Sequence, residues 1–263
     1  MRITDTYSIL QDTLSLKHAH PVFQAWDYTD AEITKWLKEH ATAQMRETAQ
    51  LYLKEVHSVV TRVEQYFGAP LSGELVLIPS MGEVDGFARY DHGHHTVMLG
   101  IDFPDASLDY LRALTAHELS HVYRDHSPEV WAFLGKPLKE ISRNEYLEAT
   151  TGREHLVSEG LATLTSQMIF PEVHLHDHHY YERKEMDWCL ANEAKINKAL
   201  EACLKLLDPD PWKFYGHGVV ARGAPSRTHY YWAAQKINAW IKNTPGMSLL
   251  KAHALAADQI KAF

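Results

Sequence analysis

The run His117-Glu118-Leu119-Ser120-His121 carries the most chemistry per residue in this chain. Residues at i and i+4 share a helix face, so two imidazoles from one turn can turn a ring nitrogen toward a single ion. Glu118 lies about 100° further round the axis, which points its carboxylate past the ion toward the water that a metal would hold. This is the metal end of a zinc hydrolase. Zinc in a catalytic site takes three protein ligands and leaves a position for water, so a third donor is needed. Glu159, in His155-Leu156-Val157-Ser158-Glu159-Gly160-Leu161-Ala162, is the candidate. Alone it reads as a solvated surface glutamate. Its place after the motif and the glycine beside it favour a ligand, because a glycine inside a helix costs about 1 kcal/mol relative to alanine. Close approach of this helix to the motif helix would offset that cost.

Together with Arg227-Thr228-His229-Tyr230-Tyr231-Trp232, these stretches resemble a bacterial domain-of-unknown-function family described as predicted zinc-dependent proteases, within the gluzincin group. The resemblance covers roughly residues 75 to 245. It implies a zincin-like fold with one zinc ion per chain, ligands at His117, His121 and Glu159, and Glu118 as general base. It also implies a Tyr or His downstream of the third ligand that donates to the oxyanion. Tyr230 is the first candidate for that role and His229 the second, while Tyr231 and Trp232 read as core aromatics. The chain departs from the family by lacking the glycines that flank its tyrosine pair.

The reaction so implied is peptide-bond hydrolysis. Zinc would activate water and polarise the carbonyl, Glu118 would move the proton, and Tyr230 or His229, with Arg227 a further candidate, would stabilise the tetrahedral oxyanion. The competing reading is a non-catalytic zinc or His-rich metal-binding protein, or a peptidase-like regulator. Two His clusters invite it: His92, His94 and His95 in an expected hairpin turn, and His174, His176, His178 and His179 in an expected loop after Pro171. Neither has spacing that fixes ligand geometry, so both read as solvated. His155, four residues before Glu159, reads either as support for that carboxylate or as packing.

The elements that must position these residues follow from periodicity and punctuation. Asp109 to Tyr123 forms an amphipathic helix capped by Ser107 or Asp109, and Thr151 to Met168 a second helix. Strands are expected over Glu74–Pro79, Gly86–Tyr90 and Thr96–Phe103. The stretch Thr96–Ile101 is the expected edge strand, on which an extended substrate backbone would pair. Ala31 to Phe67 reads as one or two helices ending at Gly68-Ala69-Pro70, and about Tyr181 to Leu207 as one helix. The fold class is α+β, mainly helical with a small mixed sheet beside the motif helix. Residues 1–70 form a helical region packed on a metallopeptidase domain of residues 71–263.

Composition narrows the partners. Lys and Arg number 26 against 34 Asp and Glu, a net charge of −8, with no basic run, which argues against nucleic acid. On net charge alone, basic or neutral peptides are easier substrates than acidic ones. No apolar run approaches the roughly 20 residues that cross a bilayer, and the first residues begin no signal peptide, so a cytoplasmic location is expected. Cys189 and Cys203, the two cysteines present, fall too far apart on one helix to bond and are expected as reduced thiols.

Overall fold

A computed structural model describes residues 1–5, 29–40, 43–78, 85–100, 107–206 and 209–263. The fold is α+β, mostly helical, with a four-stranded mixed sheet in the order β1-β2-β4-β3. The strands are β1 (Arg2–Asp5), β2 (Glu74–Ile78), β3 (Gly86–Asp91) and β4 (His94–Gly100). β1 pairs parallel with β2, β2 parallel with β4, and β4 antiparallel with β3. The last two strands form a hairpin whose turn is His92-Gly93, both with positive φ (46° and 75°), as a tight two-residue connection between right-twisted strands requires.

Two expectations change here. The strand at Thr96 lies inside the sheet, because β2 takes its other side, so the edge strand beside the motif helix is β3. The N-terminal region is also not purely helical, since residues 2–5 supply the other edge. The expected continuation of the Thr96 strand to Phe103, and Pro79 of β2, fall outside the described residues.

Two helices precede β2: α1 (Asp30–His40) and α2 (Ala43–Phe67). Gly68 follows with φ 67°, the left-handed residue that ends a helix and that glycine adopts without a Cβ clash. One face of α2 (Val56, Val59, Val63, Phe67) shares a core with Leu75 and Leu77 of β2, Val97 and Leu99 of β4, and Leu111, Leu114, Leu119 and Val122. These last four belong to α3 (Leu108–Asp125), which carries the H-E-x-x-H motif. Ser107 caps α3 by accepting from the Tyr110 N–H.

After a short helix α4 (Arg143–Ala149), Thr151 caps α5 (Gly152–Ile169), which carries Glu159. α5 is buried on nearly every side, which suits its sequence: apolar and small residues surround it instead of forming a single stripe. It packs on α3 along one face and on α8 (Thr228–Asn243) along another. The helix expected over Tyr181–Leu207 is two, α6 (Arg183–Ala191) and α7 (Glu193–Leu204). They break at Asn192, whose amide donates to the Trp188 carbonyl and so competes with the helical bonding pattern. Cys189 and Cys203 are free and buried in the core these helices share with Tyr231 and Trp232. A last helix, α9 (Leu249–His253), closes the fold. Among the described residues no helix is long and apolar enough to cross a membrane.

Candidate metal centre

α3 and α5 lie against each other, and a buried ion pair sets their relative position. Arg124, fully buried in the last turn of α3, forks onto Glu154 in the first turn of α5 with contacts of 2.7 and 2.8 Å. Nη1 donates to the carbonyls of His253 and Leu255, so each nitrogen of the fork has at least one acceptor. Glu154 is one helical turn and a residue before Glu159, so the clamp delivers the second carboxylate to the face of α3 that carries both motif histidines.

His117, His121 and Glu159 converge. Their ligand atoms all lie within 4.8 Å of one another. Glu159 Oε2 is 3.0 Å from His117 Nε2 and 3.7 Å from His121 Nε2. Zinc with nitrogen and oxygen ligands at about 2.0–2.2 Å in a tetrahedral array would separate them by about 3.3 Å, and the observed spacings bracket that value. The donor set, two imidazoles and a carboxylate, is one that can hold a transition-metal ion such as zinc. Among the described residues this is the only such group with three converging ligand atoms.

Electrostatics favours a cation here. Burial alone would raise the pKa of Glu159, yet His121, the hydrogen bond from His117, and His155 together hold it below the usual carboxylate range. Burial pushes His121 down to about 4, so its ring is neutral and free to ligate near neutral pH. His121 Nδ1 sits 2.8 Å from Ser158 Oγ. In the tautomer that ligation through Nε2 requires, Nδ1 donates to this hydroxyl and fixes the ring orientation.

Glu118 is buried in the same cleft, a cavity of ≈ 670 Å³ lined also by Gly86, Phe87 and Ala88 of the edge strand. Burial, then the charges of Glu159 and Asp85, raise its pKa well above the usual value, while a backbone hydrogen bond from Ala88 and the charge of Arg227 act the other way. A carboxylate so placed holds a proton readily, as a group that both takes and returns one must. A divalent cation beside it would pull the other way and favour its ionised form.

Tyr230 lines the cleft, its ring stacked over His117 at 5.7 Å, with its hydroxyl 2.7 Å from that of Tyr215. His229 does not line it. One residue earlier on α8 turns the side chain about 100° away, and His229 is buried behind the cleft with Nε2 3.2 Å from His155 Nε2. His155 in turn places Nδ1 3.7 Å from Glu159 Oε1, which makes it a neighbour of the carboxylate and not packing alone. Tyr231 and Trp232 face the core, as expected of them.

The glycine beside Glu159 has a different partner from the one expected. A Cβ on Gly160 would come within 2.7 Å of Ile237 and 2.8 Å of the Ala233 backbone, so the close approach is to α8 and not to the motif helix. That approach brings the Tyr230 ring over His117.

The His-rich stretches are solvated only in part: His92, His94 and His174 are exposed, as expected, while His95, His178 and His179 are buried. His95 lies in β4, buried, 2.9 Å from Asp125 Oδ2. His178 and His179 are buried under α5 against Ser166 and Gln167, and neither cluster lines the cleft. Asp125 also accepts from the Tyr146 hydroxyl, and His126 bridges Ser72 and the Val122 carbonyl.

Sequence reasoning passed over Ser158, Asp85, Tyr180 and Tyr215. Ser158 adjoins Glu159, and a hydroxyl one residue from a ligand is a signal that could have been read. The other three come from separate short segments: Asp85 just before β3, Tyr180 at the end of one 3-10 turn and Tyr215 at the end of another. No family model, curated protein or solved structure matches the chain. The functional reading therefore rests on the residues of the cleft.

Proposed function

We propose that this protein is a zinc-dependent peptide-bond hydrolase of gluzincin type with a zincin-like fold. The observation that supports it most directly is the meeting of His117, His121 and Glu159 on one point, with Glu118 buried in the same cleft. When bound, zinc supplies a Lewis acid that polarises a carbonyl and makes water acidic enough to attack near neutral pH. His117 and His121 would hold it through Nε2, and Glu159 through its carboxylate. Glu118 would take the proton of the attacking water on a carboxylate oxygen and return it to the leaving amine.

Tyr230 would donate its hydroxyl proton to the developing oxyanion, having Tyr215 as its present partner. β3, an edge strand of the sheet, runs along the cleft with Gly86, Phe87 and Ala88 and would align an extended substrate. A single converging ligand set among the described residues favours one zinc ion over a His-rich module that loads several. Two buried free thiols accord with a cytoplasmic location.

The test is a zinc-dependent peptide-library digest with wild type and Glu118→Gln. Wild type should cut and lose activity on chelation, and Glu118→Gln should retain zinc while turnover falls by roughly 10² or more. Full hydrolytic activity in Glu118→Gln would remove the proposed base.

A further inference from the structure

Three non-glycine residues among those described have left-handed backbone: His92 (φ 46°), Tyr180 (φ 58°) and Arg227 (φ 57°). His92 has the hairpin turn to account for it. Tyr180 and Arg227 come from different loops, yet both line the cleft, and the Arg227 guanidinium carbon stands 5.5 Å from the centroid of the Tyr180 ring. Backbone strain at two touching residues of one cleft wall is the kind of cost that function retains.

Both side chains have unused donors. The Tyr180 hydroxyl is buried with no hydrogen-bond partner. Arg227 has one ion pair among the described residues, to Asp85 Oδ2 at 4.0 Å, and also meets the Tyr110 hydroxyl, which donates to that same oxygen. A guanidinium offers five N–H groups in a planar fork, so Asp85 can orient it from one side and leave another side for a ligand. Tyr230 stacks on His117 with ring centroids 5.7 Å apart, and the Tyr180 ring meets the same imidazole edge-on at 5.3 Å; Arg227 stands at the Asp85 end, so Tyr180 bridges from His117 to Arg227.

We propose that Tyr180 and Arg227 form a carboxylate-binding subsite, and that the substrates are peptides with a free carboxylate near the bond to be cut. That carboxylate is either the C-terminus or an Asp or Glu side chain. The proposal rests on the hydrolase reading for its meaning. It also reverses the preference for basic or neutral peptides that the net charge of −8 suggests. A contact within a desolvated cleft outweighs a distant, screened net charge.

The experiment is calorimetric titration of zinc-loaded Glu118→Gln protein with three peptides of one neutral sequence: C-terminal carboxamide, free acid, and carboxamide bearing one Glu. One carboxylate peptide should bind at least about tenfold tighter than the neutral amide, and which one identifies the source of the carboxylate. Adding Arg227→Gln should reduce that advantage to within about twofold, Arg227→Lys should retain part of it, and Tyr180→Phe should weaken it with melting temperature unchanged. Equal binding of all three peptides, or an advantage that survives Arg227→Gln, would overturn the subsite. Zinc-loaded wild type run on the same peptides separates the two readings. Cleavage without carboxylate preference overturns the subsite alone, carboxylate-dependent binding without cleavage overturns the hydrolase reading alone, and no binding at all overturns both.

Discussion

Ser158 Oγ lies 2.8 Å from His121 Nδ1, on the residue that immediately precedes Glu159, the carboxylate of the candidate metal centre. One turn of α5 therefore supplies both a donor to the metal point and the group that orients another donor. Outer partners of ligating histidines commonly contribute 10- to 100-fold in metal affinity. Ser158→Ala should weaken zinc binding by about tenfold in a chelator competition, with melting of the metal-free protein unaltered. Unchanged affinity would mean that the hydroxyl does not orient the ring.

Gly160 gives a prediction whose sign decides it. Helix propensity favours Gly160→Ala by about 1 kcal/mol. The added Cβ, however, would fall 2.8 Å from the Ala233 backbone, where no flexible side chain can yield. Gly160→Ala should therefore destabilise by about 1–3 kcal/mol in chemical denaturation. Stabilisation would show that α5 and α8 are not in contact at this point.

The Arg124–Glu154 clamp is buried at both ends. Arg124→Met strands Glu154 and should cost about 3–5 kcal/mol, whereas Arg124→Met with Glu154→Leu should recover much of the loss. Denaturation midpoints of the two variants check this. A double variant no more stable than the single one would show that the carbonyls of His253 and Leu255, which also accept from Arg124, carry the effect.

Acid should weaken the fold through its buried neutral histidines. Burial pushes His178 down to about 4 and His179 down to about 3 from an ordinary 6.5. The unfolded chain then binds more protons than the native one below about pH 6.5, so the contribution is complete above that pH and is lost as pH falls toward the folded values. Going from about pH 7 to about pH 5 should cost roughly 1–2 kcal/mol for each ring, read as denaturation midpoints of metal-free protein. In His178→Gln the pH slope should be shallower by close to one proton. An identical slope would place the titrating group elsewhere.

What was legible in the sequence is what local spacing encodes. The i, i+4 histidines, the caps Ser107 and Thr151, and the helices that carry Glu118 and Glu159 could all be read from short windows. Which hairpin strand forms the sheet edge could not, because pairing with β2 and the arrival of β1 from a distant part of the chain decide it. The same holds for Gly160, whose partner Ala233 lies far along the sequence. The histidines of residues 174–179 looked solvated because polarity predicts exposure, yet Ser166 and Gln167 of α5 provide the partners that let His178 and His179 be buried. Tyr230 over His229 was a choice between neighbours separated by about 100° on a helix, and only the docking of α8 on α5 resolves it.

The central claim is that Glu159 completes a metal site begun by His117 and His121. Its most direct test is the zinc content and zinc affinity of wild type beside Glu159→Ala. The wild type should hold one zinc ion per chain tightly, and Glu159→Ala should lose at least about 100-fold in affinity while remaining folded. Equal zinc affinity in the two proteins would contradict the account.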